Sequence, residues 1–221
     1  MLERIVTAYN EAIFDTDRER AMQVVRQAVE QGVSPEDVVF KVIIPAIELM
    51  VESISPPITV SLAQHFMAGQ IAAEATEEMI AKFKVPPQVL GRVVIGTSAG
   101  DFHGLGKRIV MGCLKANMID VTDLGMDVPP ERFVDEALAH NAEVIGISSM
   151  MVHTAMGENG CLKVRRILKE RGLEDRIRII VGGVPYRFDH ELYKRVEADA
   201  WAENGIAAAQ VILDLVKEVH R

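Results

Sequence analysis

The chain has 221 residues, 49% of them hydrophobic and 25% charged, which is ordinary globular composition and enough for one large domain or two small ones. A net charge of −8 leaves no electrostatic footprint for nucleic acid, and no apolar run is long enough to cross a bilayer. Cys113 and Cys161 make neither a disulfide framework nor a metal-ligand spacing, and the mixed-charge N-terminus does not read as a signal peptide, so a cytoplasmic setting is expected.

In chain order, residues 1–84 predict an all-helical domain. A first helix over about 2–14 is followed by "ERAMQVVRQAVEQG", where Ala21, Val24, Val25, Ala28 and Val29 recur at helical spacing between an Asp17 cap and a Gly32 stop. "SPEDVVFKVIIPAIELMVESI" restarts with Ser34 as cap, Pro35 in the first turn and Glu36 and Asp37 beside it; Pro45 should bend this helix. "SPPIT" breaks the pattern, and a long helix rich in Ala and Gly completes a four-helix bundle.

The period changes across "VPPQVLG", residues 85–91, read as a linker. From 92 to 221, five short β-branched runs ("RVVIGTS", "NMIDVTDLG", "AEVIGISS", "RIRIIVGG", "EADAWA") alternate with helical patterns near 104–116, 130–140, 155–171, 189–196 and 204–219. That alternation predicts an α/β domain with a doubly wound parallel sheet of five strands, flavodoxin-like or Rossmann-like.

In such a sheet ligands sit at the carboxyl ends of the strands, where the strand order reverses. With the order 2-1-3-4-5, the loops "SAGDFHGLG", "SSMMVHT" and "GGVPYRF" would meet there. None of them is a phosphate loop: the stretch before Gly106-Lys107 begins on Asp101 and ends on Arg108, and Ile109 stands where a dinucleotide fingerprint needs its third glycine. An aspartate two residues before a histidine suits metal ligation instead, because a ligating imidazole usually donates its second N–H to a carboxylate. One histidine cannot satisfy a bare ion, but it suffices where a macrocycle supplies the other ligands.

"DFHGLG" at 101–106 resembles the aspartate-x-histidine-x-x-glycine motif of cobalamin-binding domains. Ser148 follows at the spacing of the family's serine-x-leucine motif, with Met150 in the leucine position, and Gly182-Gly183 matches its paired glycine. "DLGMDVP" and "EADAWAENG" also look like family segments, and residues 1–84 resemble the four-helix cap of methionine synthase and of the corrinoid proteins that serve methanol, methylamine and methoxy-aromatic methyltransferases. The resemblance implies a corrinoid carrier binding cobalamin, as methylcobalamin or another corrinoid, with the cofactor's own base displaced by His103 as lower axial cobalt ligand. Asp101 would accept the other imidazole N–H and Thr154 would complete the relay. Phe102, Gly104, Leu105, Gly106, Ser148, Met150, Gly182, Gly183, Val184 and Trp201 would line the cofactor and its nucleotide tail. The implied partners are a methyl-donor-specific methyltransferase, a methyl-acceptor methyltransferase and a reductive activase, with neither nucleic acid nor membrane.

The chain carries no catalytic zinc cluster and no substrate barrel, so it is not expected to be a complete enzyme alone. The alternatives are a cobalamin-sensing regulator, the small subunit of a carbon-skeleton mutase, against which the helical residues 1–83 count, and a cobalamin storage or delivery protein, which a shortened segment at 52–66 keeps open. His65, His153 and Cys113 are read as packing or surface residues.

Overall fold

The computed structural model describes residues 1–52, 61–83 and 89–220 and divides into two compact units: the helices before residue 84, and the chain from Val89 onward apart from Lys115–Met118. The sequence segments "SPPIT" and most of the 85–91 linker lie outside the described residues.

The first unit contains α1 (Leu2–Phe14), α2 (Arg18–Glu30), α3 (Pro35–Val38), α4 (Ile44–Glu52) and α5 (Leu62–Ile80). Its caps follow from local chemistry. The Asp17 carboxylate accepts from Arg20 N at 3.0 Å, the Ser34 hydroxyl accepts from Asp37 N at 3.1 Å, and Ser61 with Gln64 forms a reciprocal capping box at α5. Gly32, at φ +90°, ends the turn after α2 in a conformation that needs no Cβ. Pro45 lacks the N–H of a helical residue and its ring crowds the carbonyl four residues back. The helix answers with a π-turn over Val39–Ile43, in which the Ile44 amide reaches back to Val39 O. Tyr9, Ile13, Val25, Val42, Met50 and Met79 fill the core, and Arg18–Glu74 and Arg26–Glu78 clasp α2 to α5 outside it.

The second unit is a five-stranded all-parallel sheet in the order β2-β1-β3-β4-β5, the doubly wound arrangement that the alternation predicts. Its strands are β1 (Gly91–Ser98), β2 (Ile119–Val128), β3 (Val144–Ser148), β4 (Arg178–Gly182) and β5 (Ala200–Ala202). Parallel strands covered on both faces read as continuous apolar runs, and β1 buries every residue but Arg92. Val94, Ile145, Ile147, Ile179 and Val181 point to a core shared with α7 (Pro130–Ala139) and α9 (Cys161–Glu170). Val93, Ile95, Val144 and Ile180 point the other way, toward α6 (Leu105–Ala116) and α12 (Gly205–Val219).

Two helical predictions change in detail. The pattern at 155–171 splits into α8 (Val152–Met156) and α9, because the chain folds tightly over itself at Gly157 and Gly160. A Cβ at either glycine would come within 2.9 Å of a backbone oxygen. The pattern at 189–196 is reduced to α11 (Leu192–Arg195), and a short α10 (Val184–Phe188) forms ahead of it, with Gly183 as its N-cap and Pro185 in its first turn.

At the far edge, Arg165 is buried and ties β5 to β4. Its guanidinium donates to Asp199 Oδ2 at 2.6 Å and Glu197 O at 2.8 Å, while Asp199 Oδ2 also accepts from Ile179 N at 2.6 Å. Cys113 and Cys161 are buried, and their thiols are pushed up to about 12 by that burial, so both pack as small hydrophobes.

Candidate functional site: a ligand loop on a buried aspartate

Thr97, Ser148, Gly182 and Ala202 stand in register across β1, β3, β4 and β5, so the loops leaving these strands start from one row. Between β1 and α6 the chain turns at Gly100, φ +79°, and delivers Asp101 inward. The Asp101 side chain is fully buried, while the His103 side chain two residues on is 56% exposed.

The aspartate's four donors come from two loops. Oδ1 accepts from the His103 backbone amide at 2.9 Å and faces His103 Nδ1 at 3.0 Å. Oδ2 accepts from the Met150 amide at 2.6 Å and lies 2.9 Å from Thr154 Oγ1. The single Thr154 proton has two acceptors at that distance, Asp101 Oδ2 and Met151 O. Burial works to raise the aspartate's pKa, but the Met150 and His103 amides, the imidazole and the Thr154 hydroxyl together outweigh it and hold it below the ordinary range. With Nδ1 turned to a carboxylate, Nε2 is the ring nitrogen whose lone pair is left for a ligand.

A second set of contacts, unseen from the sequence, fixes the loop from β2. Asp127 takes φ +54° and its amide donates to Thr97 Oγ1 at 2.9 Å and to Asp101 O at 3.1 Å. Asp127 Oδ1 accepts from Gly100 N at 2.7 Å, and the Thr97 hydroxyl donates to Asp101 O. The β1–β2 pairing slips twice on the way, from Ile95↔Asp123 to Gly96↔Gly125 and then to Ser98↔Val128. "DLGMDVP" carried the only sequence signal for this, by resemblance and without its physical reason.

Of the other residues singled out from sequence, Gly183 has the firmest structural requirement. It sits at φ +115°, and a Cβ there would meet Ser149 O at 2.1 Å. Ser149 is buried, its amide donates to Gly182 O at 3.0 Å, and its hydroxyl pairs with that of Ser98 at 2.8 Å. Gly104 packs on Met126, whose Sδ would lie 3.0 Å from a Cβ at that position, whereas a Cβ built on Gly106 would meet nothing within 4 Å. Trp201 is partly buried against the α9 side of the sheet and stacks on the His190 ring, 4.7 Å between centroids. His153 is exposed and His65 is buried in the first unit.

Could these residues hold a corrinoid? Among the described residues no group of three or more His, Cys, Asp or Glu could hold a bare metal ion, so His103 is complete as a donor only for a metal that brings its own in-plane ligands. Around it the strand ends expose an unusual amount of apolar surface: Phe102 at 67%, Val152 at 59% and Phe188 at 88%, with Leu105, Met126, Met150, Met151, Met156 and Val184 also open. Exposed apolar surface concentrated at one end of a domain marks a binding face. A large, mostly apolar macrocycle with one free axial position fits both features.

The B12 binding domain family matches residues 91–210 of the chain. The chain belongs to that family. This cobalamin-binding chain is 30% identical to trimethylamine corrinoid protein 1 of Methanosarcina acetivorans over 207 residues, 91% of this chain and 92% of the relative. It is 39% identical to dimethylamine corrinoid protein 2 of Methanosarcina mazei over 127 residues, 58% of this chain and 57% of the relative. Its fold is shared with a cobalamin-binding protein of Desulfitobacterium hafniense, at a TM-score of 0.75 and 23% identity over 95% of this chain and 98% of the other. It is shared too with one chain of the methanol:cobalamin methyltransferase complex of Methanosarcina barkeri, at 0.76 and 21% over 97% of this chain and 80% of that one. Among the described residues no helix is long and apolar enough to cross a membrane.

Proposed function

We propose that this cobalamin-binding chain is a methyl carrier that takes its cofactor with the base displaced and His103 as the lower axial ligand. The reading rests on one observation: a buried carboxylate held by two loops faces Nδ1 of a half-exposed imidazole at 3.0 Å. When bound, the corrinoid supplies the cobalt chemistry of methyl transfer. The chain's residues do the rest. Asp101 keeps the proton on Nδ1 and so keeps the Nε2 lone pair directed at the ligand. The Met150 amide and Thr154 hydroxyl keep Asp101 ionised and still. With the cofactor bound, the exposed side chains of Phe102, Leu105, Met126 and Met150 would exclude water from around His103, and Ser148, Gly182, Gly183, Val184 and Trp201 would help hold its nucleotide portion.

The partners that such a carrier needs are a methyltransferase specific for the methyl donor, a second for the acceptor, and a reductive activase, all in the cytoplasm. Similarity to the trimethylamine and dimethylamine corrinoid proteins favours methylamine systems over sensing or storage roles. Purified protein with hydroxocobalamin should give a histidine-ligated absorption spectrum, and His103→Ala should lose it while still folding. An identical spectrum from the variant would overturn the axial role.

A further inference from the structure

Lys107 is 2% exposed and sits in the first turn of α6, one residue beyond the ligand loop. Both facts count against a lysine: a helix N-terminus disfavours positive charge, and an isolated buried ammonium is strongly unfavourable. Its partner is Asp123 of β2, whose Oδ1 takes the Lys107 ammonium and also accepts from Gly125 N at 2.8 Å.

Asp123 is the last β2 residue in regular register with β1, and the first slip falls directly after it. Gly125 turns at φ +89°, which Asp123 stabilises by capping its amide. β2 meets the ligand loop through the next two residues: Met126 against Gly104, and Asp127 on Gly100, Thr97 and Asp101. The loop is therefore attached to one short stretch of β2 on both sides of His103. On one side Asp127 holds residues 100–101, and on the other Lys107 and Asp123 clamp the start of α6.

We propose that Lys107 and Asp123 form a positioning pair that sets the pose of the His103 imidazole from behind the loop, without touching the ligand. This rests on the carrier reading above for its consequence, though not for its geometry. The two members are unequal. Asp123 is 39% exposed at its side chain and can turn to water when Lys107 is replaced; Lys107 has no such outlet when Asp123 is replaced. Replacing both by neutral groups leaves no stranded charge, and an asparagine carbonyl still accepts the Gly125 amide.

The experiment uses the full chain as wild type, Lys107→Met, Asp123→Asn and the double variant, each checked for folding by circular dichroism. Loaded with hydroxocobalamin, each gives a ratio of histidine-ligated to histidine-free cofactor by absorption. Without cofactor, 15N-histidine NMR reads how far His103 holds the Nδ1–H tautomer. The single variants should lower the ligated ratio about tenfold and mix the tautomers, Asp123→Asn more than Lys107→Met, and the double variant, which strands no charge but still lacks the clamp, should stay several-fold below wild type. A double variant that returns to wild type overturns the proposal, because a stranded charge and not the pair would then account for the losses. Folded single variants with wild-type ratio and tautomer overturn the proposal. Should a single variant not fold, Lys107→Gln removes the charge pair while leaving a polar group toward Asp123 and no buried charge stranded, and a wild-type ratio there overturns it equally. A wild type that never shows histidine ligation sinks the carrier reading instead, while the NMR arm still decides whether the pair orients the ring.

Discussion

Gly106→Ala separates what the fold needs from what the ligand needs. The glycine is the second residue of α6, outside the left-handed region, and a methyl group built on it meets nothing within 4 Å. In the cofactor-free chain the substitution should stabilise the helix by about 0.5–1 kcal/mol, nearer the lower figure because the position lies in the first turn. With a melting shift of about 2–4 °C per kcal/mol for a chain of this size, Tm should rise by roughly 1–4 °C. The cofactor-bound state should respond in the opposite sense. If the open space at Gly106 is where the corrinoid lies against the backbone, an extra methyl overpacks that contact at about 1–3 kcal/mol, which weakens binding roughly five- to more than a hundredfold. Thermal melts of the free protein and calorimetric titration with hydroxocobalamin give the two signs independently. Unchanged affinity alongside the raised Tm would refute the placement of the cofactor against Gly106, and a lowered Tm would refute the structural half of the reasoning.

Gly183→Ala should lose on both counts. Its φ of +115° is strained for any side chain, at about 1–3 kcal/mol, and its methyl would overlap Ser149 O, so a backbone must move. A drop in the urea midpoint equivalent to at least about 2 kcal/mol is expected; a wild-type midpoint would show that the turn relaxes freely. Asp101 supplies a pH test. Its folded pKa is depressed below the ordinary 3.8, so the folded state binds fewer protons than the unfolded chain. Its contribution is complete above that ordinary value and is lost as pH falls through the folded value beneath it. Carboxyl 13C NMR should place the Asp101 titration below 3.8, and a titration above it would contradict the four-donor account.

The elements whose causes are local were readable from the residues. Asp17 and Ser34 cap as their positions require, and the alternation of β-branched runs with helical ones foretells a parallel sheet, whose order 2-1-3-4-5 is the one assumed for a flavodoxin-like fold. What escaped reading depends on long-range partners. Pro45 signals a disturbed helix, but whether the chain answers with a kink or a π-turn is decided by packing. The split comes from a tight turn at Gly157 and Gly160, and the short α8 ahead of it presents Thr154 to Asp101, fifty-three residues away in sequence. Thr97 and Asp127 look like ordinary strand and turn residues until the register slips of β2 bring them together over the Asp101 carbonyl. Lys107 is the sharpest case, since a lysine in a first turn reads as surface until Asp123 is seen beneath it.

The arrangement divides one requirement between two side chains. A group that must meet a large ligand has to be exposed, and an exposed side chain on a glycine-rich loop samples many rotamers. His103 is exposed, and its order is borrowed from Asp101, which is not. The carboxylate can lend that order only because neither of its oxygens is free to turn. Oδ1 is committed to the His103 amide and ring, Oδ2 to Met150 and Thr154, and the backbone carbonyl of the same residue to Thr97 and Asp127. An asparagine would have the same shape but would set an N–H₂ against N–H or O–H donors on one side or the other, leaving buried donors unpaired at about 1–3 kcal/mol each. The position therefore demands an acceptor at both oxygens, and a buried, ionised aspartate is the side chain that provides it while remaining short enough to fit beneath the loop.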